Sequence, residues 1–323
     1  MILKMLKDQL DFKEVTGYSF LRADVGEGTF MLGADVDEML AFTGIKRETM
    51  VDPGLRFVRR RDDNGPFYFI VNGGNDTLSR WISVRDEFQS AAFFNPSDGI
   101  YAQASFRAGM EGLNEVFLQI LPGESIILKT FDQPVGGSIY KNFTLAGYIE
   151  EIKGPWKLEF ISGGPDLPKK QTLKNLGSWT DLKGEAVKSF SGTARYSTYF
   201  KKMNSGVQTW ILNLGRVAES ARVKLNGEEI AVLIGPHYYV EIPVSKMKEK
   251  NLLEIEVTNL MANRIAKLDR ESGDWKKFYN VNFPAKFKEN RGPDGLFNAS
   301  KWEPAESGLI GPVLLIPMKI LEF

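Results

Sequence analysis

The chain has 323 residues, 43% of them hydrophobic and 25% charged, enough apolar material to bury more than one core. Its 41 Lys and Arg offset 41 Asp and Glu, so the basic excess typical of a nucleic-acid-binding protein is missing. There is no cysteine and a single histidine, His237, which removes disulfides, thiol nucleophiles and Cys- or His-rich zinc sites and leaves any Ser-His-Asp triad that one imidazole.

The opening MILKMLKDQLDF does not read as a secretory signal. Lys4, Lys7, Asp8 and Asp11 interrupt the apolar run of roughly 7–15 residues that a signal needs. No stretch approaches the roughly 20 apolar residues of a membrane span. The chain as given is therefore expected to be soluble and to carry no visible export address. A helix is expected near Met1 to Leu10. A second is expected over Val36 to Ala41, with Asp35 as its cap, Val36, Met39 and Leu40 at helical spacing, and Gly44 as its stop.

From Leu55 the pattern turns to short strands. LRFVRRR and FYFIVN flank the turn Asp63-Asn64-Gly65-Pro66 and predict a hairpin. TLSRWISVRD alternates apolar and polar residues, as a half-buried strand does. AAFFNPSDGIYAQASF holds two strands around Asn95-Pro96-Ser97-Asp98-Gly99, and NEVFLQILPGESIILKTF two more split by Pro122-Gly123. Such spacing predicts an antiparallel β-sandwich over residues 55–135. The basic run Arg59-Arg60-Arg61 lies in a strand, where a solvated edge explains it better than a nucleic-acid patch.

Residues 133–153 read as a connector. A second β unit follows over 136–323, through GPWKLEFISG, SGTARYSTYFKK, QTWILNLGRV, ESARVKLNGEEIAVLI, YYVEIPV and NLLEIEVTNL. Asn226-Gly227 is the strongest turn signal. Residues 270–306 form a long irregular stretch, the kind that is usually functional or docked. SGLIGPVLLIPMKILEF reads as a closing strand pair. Trp81 and Trp210 lie in alternating strands and are expected in the core.

The run SGTARYSTYF, LNLGRVAESARVKLNGEEI, YYVEIPVSKMKEKNLLEIEVTN resembles the sugar-binding sandwich of family 2 glycoside hydrolases. With VTNLMANRI and ASKWEPAESGLIGPVLL, it looks more particularly like the C-terminal module of family 106 glycoside hydrolases, the α-L-rhamnosidases. DPGLRFVRRRDDNGPFYFIVN, FFNPSDG and LQILPGESIIL look like the sandwich preceding that module. The resemblance covers roughly residues 25–318. It implies a mainly β chain of two antiparallel β-sandwiches, the second a galactose-binding-like jelly roll. Residues 1–54 would be a short α/β remnant or linker of an upstream domain. Family members carry their catalytic carboxylates on an α/β barrel, which this chain is expected to follow, and the family implies a periplasmic or extracellular bacterial protein. One departure is NRIAKLD, where related chains often place Gly-Asp close behind the Arg.

Several residues are candidates for carbohydrate binding or for an interface with that barrel. Trp179, Trp275 and Trp302 sit in loop-like, polar context, where an exposed indole can stack on a sugar face; packing within the chain is the alternative. His237 and Tyr238 lie between two strands and could line a sugar-contacting loop or a plain turn. Asn259, Asn263 and Arg264 could grip vicinal hydroxyls or a neighbouring carboxylate, or anchor their own loop. A jelly roll can hold a structural calcium ion on carbonyls and a carboxylate or two, with no ligands named by the sequence and no other cofactor required. Hydrolysis would need a carboxyl pair; Asp62-Asp63 falls in a turn, and Glu303 and Glu306 flank Pro304 in a loop. The reading is thus a non-catalytic accessory region of a glycosidase whose partner is a carbohydrate or an upstream barrel. Its rivals are a complete glycosidase and an interaction module without a sugar site.

Overall fold

The computed structural model describes residues 9–45, 48–97, 99–109, 113–201, 207–271, 275–278 and 280–323. Most of the helix expected near Met1, and Asp98 of the expected turn, lie outside the described residues. Among the described residues strands take 46% and helices 13%, which makes the chain mainly β. Two compact units divide it, residues 1–140 and 141–322.

The first unit opens with an antiparallel meander of β1 (Lys13–Glu14), β2 (Leu21–Val25) and β3 (Gly28–Leu32). Helix α1 (Val36–Phe42) follows. The Asp35 carboxylate accepts the Glu38 N–H at 3.0 Å, and Gly44 takes φ +74° as its N–H donates to the Ala41 carbonyl at 3.0 Å. Start and stop are as the capping residues dictate. Tyr18, Phe20 and Phe42 pack edge to face or tilted, with centroids 5.0–5.4 Å apart.

The sandwich comprises β4 (Leu55–Asp62), β5 (Gly65–Asn72), β6 (Leu78–Val84), β7 (Ser90–Phe94), β8 (Tyr101–Gln103), β9 (Phe106–Ala108), β10 (Asn114–Ile120) and β11 (Ser125–Phe131). One sheet has the order β4-β5-β11-β7-β8, the other β6-β10-β9. Tyr68, Ile70, Phe93, Ile126 and Leu128 of the first meet Leu78, Ile82, Val116, Leu118 and Ile120 of the second in one core. The β4–β5 hairpin closes at Asp62 opposite Gly65. Lys129, buried on β11, locks it: its ammonium donates to the Asp62 carboxylate at 2.5 Å and the Gly65 carbonyl at 2.9 Å, 3.9 Å from the Phe67 ring centroid. That bond holds the Asp62 carboxyl below the usual range.

Arg59 and Arg61 lie on the edge strand β4, paired with Glu48 at 3.4 Å and Asp86 at 3.5 Å. Trp81 departs from expectation. Its parity on β6 is opposite to that of core-facing Ile82 and Val84, so it is only half-buried on the outer face, with the Arg107 guanidinium 4.3 Å from its ring.

The second unit contains β12 (Phe143–Leu145), β13 (Glu150–Glu151), β14 (Trp156–Gly164), β15 (Gln171–Leu173), β16 (Ser191–Lys201), β17 (Thr209–Asn213) and β18 (Arg216–Ala218). It continues with β19 (Ser220–Leu225), β20 (Glu228–Ile234), β21 (Tyr239–Pro243), β22 (Lys250–Thr258), β23 (Gly308–Gly311) and β24 (Leu314–Ile320). A six-stranded sheet, β15-β14-β16-β22-β19-β20, faces a five-stranded one, β12-β24-β17-β21 with β13 also on β24; β18 and β23 form a separate ribbon. Trp156, Trp179, Tyr196, Trp210, Leu212, Ile255 and Leu315 fill the core between them. Residues 133–153 are therefore more than a connector, because β12 and β13 hydrogen-bond to β24. Likewise β23 and β24 do not pair with each other but join different sheets. Asn226 and Gly227, at φ 55° and 87°, make the tight β19–β20 turn.

The stretch after β22 begins with helix α2 (Ala262–Glu271). It then runs through 3₁₀ turns at Phe283–Lys286 and Lys288–Asn290 and folds over a small core of Ala285, Phe297 and Ala299 against Ile265 and Trp302. On the outer face of the six-stranded sheet, Glu256 sits between Arg195 at 2.9 Å and Lys224 at 3.2 Å. Burial pushes its pKa up, but the hydrogen bonds and charges of Arg195 and Lys224 outweigh this and hold it below the ordinary value. A depressed folded pKa means stabilisation that is present at neutral pH and lost as pH falls through that pKa. Glu256→Gln should therefore cost about 1–2 kcal/mol at pH 7 by urea titration. The gap to wild type should close in acid; a gap that is independent of pH would assign the loss to packing.

Candidate carbohydrate-binding cleft

Where β17 ends, Asn213 Oδ1 accepts the Gly215 N–H at 2.8 Å and turns the chain. Gly215, at φ +64°, lies against β23 so closely that a Cβ would stand 2.5 Å from the Gly311 carbonyl carbon; only glycine fits. This crossing starts β18 and projects Arg216 outward, where its guanidinium pairs with Glu306. The Glu219 N–H is fixed to the Thr258 carbonyl at 2.9 Å, and the Glu219 carbonyl accepts the Tyr238 hydroxyl. With Pro236 and Ile310 these residues line an open cleft of about 380 Å³. Burial, and secondarily the Glu219 charge, pushes the Tyr238 phenol up, so it stays a neutral donor. A planar guanidinium, two carboxylates and a phenol beside apolar walls match the hydroxyls and C–H faces of a sugar. Both carboxylates are exposed.

Of the residues expected at a site, Tyr238 lies in this cleft. His237 is half-buried beside it, its Nε2 without a hydrogen-bond partner among the described residues. Trp179 does not face solvent: it is 0% exposed in the core, in a short 3₁₀ turn, with its backbone N–H on the Ser307 carbonyl at 2.9 Å. No sugar can reach its face. Asn259 and Asn263 are buried anchors. Asn259 accepts the Gly192 N–H at 2.9 Å and donates to the Phe190 carbonyl at 3.0 Å; Asn263 binds both the N–H (2.7 Å) and the carbonyl (2.8 Å) of Ala305. Both amides also donate to Ser307 Oγ, at 3.0 and 3.2 Å. With these amides turned inward, Arg264 is left half-buried on α2, without a grip shared with them.

Trp275 and Trp302 belong to the folded-over loop. Their indole N–H groups donate to Asp269 and Asn290, both at 2.8 Å. Asp269, in the divergent NRIAKLD, is the buried organiser of that loop, holding Lys276 at 2.8 Å and the Ala299 N–H at 2.7 Å. Arg216, Glu219 and Asp269 were not among the expected site residues. The one available signal for Arg216 was its place directly after the glycine of Leu-x-x-Gly-x-Val. Among the described residues no group of three or more His, Asp or Glu is placed to hold a metal, and no helix is long and apolar enough to cross a membrane.

No protein-family model matches the chain. A Formosa agariphila protein that bears a β-glucuronidase name is 31% identical over 183 residues, covering 50% of this chain and 15% of that protein. The structure of a rhamnosidase from Novosphingobium sp. PP1Y superposes with a TM-score of 0.65 at 25% identity, over 91% of this chain and 27% of that one. The chain thus spans less than a third of either relative. It is related to a region of glycoside hydrolases, and its relatives are carbohydrate-processing proteins.

Proposed function

We propose that this chain is the non-catalytic, carbohydrate-binding accessory region of a glycoside hydrolase resembling the family 106 α-L-rhamnosidases. The second unit, a galactose-binding-like jelly roll in this reading, holds saccharide in the Arg216–Tyr238–Glu306 cleft. Bond cleavage belongs to carboxylates on an α/β barrel. The observation that carries the proposal is the likeness to the rhamnosidase, which spans 91% of this chain but only 27% of the enzyme. The described residues form sheets that are open rather than closed into a barrel, and the cleft carboxylates are exposed. Exposed apolar side chains in the N-terminal segment, Val25, Phe30, Val36 and Ile45, give such a barrel a surface to cover.

The test pairs glycan-array binding with hydrolysis of aryl glycosides, α-L-rhamnoside among them. Binding without hydrolysis is expected, and Arg216→Ala should weaken it roughly tenfold by removing a charge-assisted contact. Hydrolysis that disappears on mutating Glu219 or Glu306 would overturn the accessory reading.

A further inference from the structure

The second unit contains a larger cleft, of about 760 Å³, between the segment entering β14 and the segment leaving β15. Its walls touch at Gly154, where a Cβ would lie 2.7 Å from the Lys174 carbonyl. Trp156 pairs with Leu173 across the two strands, so Lys153 and Lys174 emerge on the same rim just beyond the last paired residues. Both side chains are exposed, and neither makes a hydrogen bond or ion pair with the described residues. Lys141, Lys188, Lys224 and Lys276 of this unit each meet a carboxylate within 3.2 Å, and other exposed lysines such as Lys301 meet none among the described residues; what distinguishes Lys153 and Lys174 is that both line one cleft. Pro155, Pro312 and the buried Trp156 add apolar surface to the lining, and Asn175 adds an amide without a hydrogen-bond partner among the described residues. One carboxylate, Glu151, shares the lining and leaves a net positive rim.

We propose that this cleft is a second saccharide site, selective for an anionic substituent: the carboxylate of a uronate residue or a sulfate ester. Lys153 and Lys174 meet the anion as mobile point charges, and the proline walls take the sugar ring. The inference rests on the carbohydrate-binding reading but uses none of the residues of the Tyr238 cleft. Two uncompensated ammonium groups beside an apolar floor select charge, whereas the paired Arg216 and Glu306 do not.

The experiment is affinity electrophoresis of the whole chain through gels containing polygalacturonate, dextran sulfate or plain dextran. Retention by one or both polyanions, weakened by added salt, and its loss on plain dextran are expected. Retention on polygalacturonate alone assigns the carboxylate, and on dextran sulfate alone the sulfate. The double variant K153A/K174A should lose roughly tenfold or more in affinity. Glu151→Gln should bind more tightly, and the exposed-lysine control Lys301→Ala should match wild type. Equal retention on plain dextran, equal loss in Lys301→Ala, or loss in Arg216→Ala but not in the lysine pair would overturn the assignment. The Tyr238 cleft stands or falls separately, on whether Arg216→Ala weakens binding of neutral glycans.

Discussion

Replacing Gly308 with alanine should cost the second unit about 2–5 kcal/mol. Gly308 begins β23 at φ +101°, a conformation that L side chains rarely adopt. A Cβ there would stand 2.7 Å from Trp179 Cε3 and closer still to the Tyr196 hydroxyl. Both partners are 0% exposed, so neither ring can swing aside into solvent. Backbone strain of about 1–2 kcal/mol therefore adds to overpacking of about 1–3 kcal/mol. For a unit of this size the unfolding midpoint should drop by roughly 10 °C. A midpoint within a degree or two of wild type would mean that the Trp179–Tyr196 wall is far softer than its burial implies. Because Ile310 of the same strand lines the Tyr238 cleft, glycan binding should fall along with stability.

The second large effect is expected at Asp269. Its carboxylate is fully buried and meets Lys276, the Trp275 indole N–H and the Ala299 N–H, at 2.8, 2.8 and 2.7 Å. Asp269→Ala strands a cation that is 93% buried, since the Lys276 side chain is only 7% exposed, and leaves two donors without an acceptor. Breaking one side of a buried pair costs about 3–5 kcal/mol. These contacts tie residues 275–302 to α2, so the damage should be local. Hydrogen exchange and limited proteolysis should speed up in that loop while β14, β16 and β22 stay protected. The double variant D269N/K276M, which removes both charges, should recover part of the loss. If the loop stays protected in Asp269→Ala, the packing of Phe297 and Trp302 holds it without the ion pair.

Asp269 also illustrates the limit of local reading. In sequence it is one acidic residue in a polar helix; its importance comes from Ala299, thirty residues on. Trp179 makes the same point from the other side. LGSWTD carries the polar, turn-rich look of an exposed loop, yet the indole plugs the core because β23 passes over it. Asn259 and Asn263 could by their local sequence grip a ligand or anchor their own loop, and the structure uses both amides as anchors, on backbone groups of Phe190, Gly192 and Ala305 and on Ser307 Oγ.

Sequence by itself determined the mainly β character, the hairpin at Asp63-Asn64, the turn at Asn226-Gly227, the capped helix after Asp35 and the absence of cysteine chemistry. These follow from periodicity, turn conformation and composition, which are properties of a few neighbouring residues. Only the tertiary structure decided which strands share a sheet. β10 and β11 are adjacent in sequence but lie in different sheets, as do β23 and β24, and β12 and β13 find their partner at the far end of the chain. It also decided that Arg216 meets Glu306 and that Lys153 and Lys174 share a rim. Alternation fixes which face a side chain takes, but a strand's partner is chosen by the burial of both faces at once, across distances that no local pattern records.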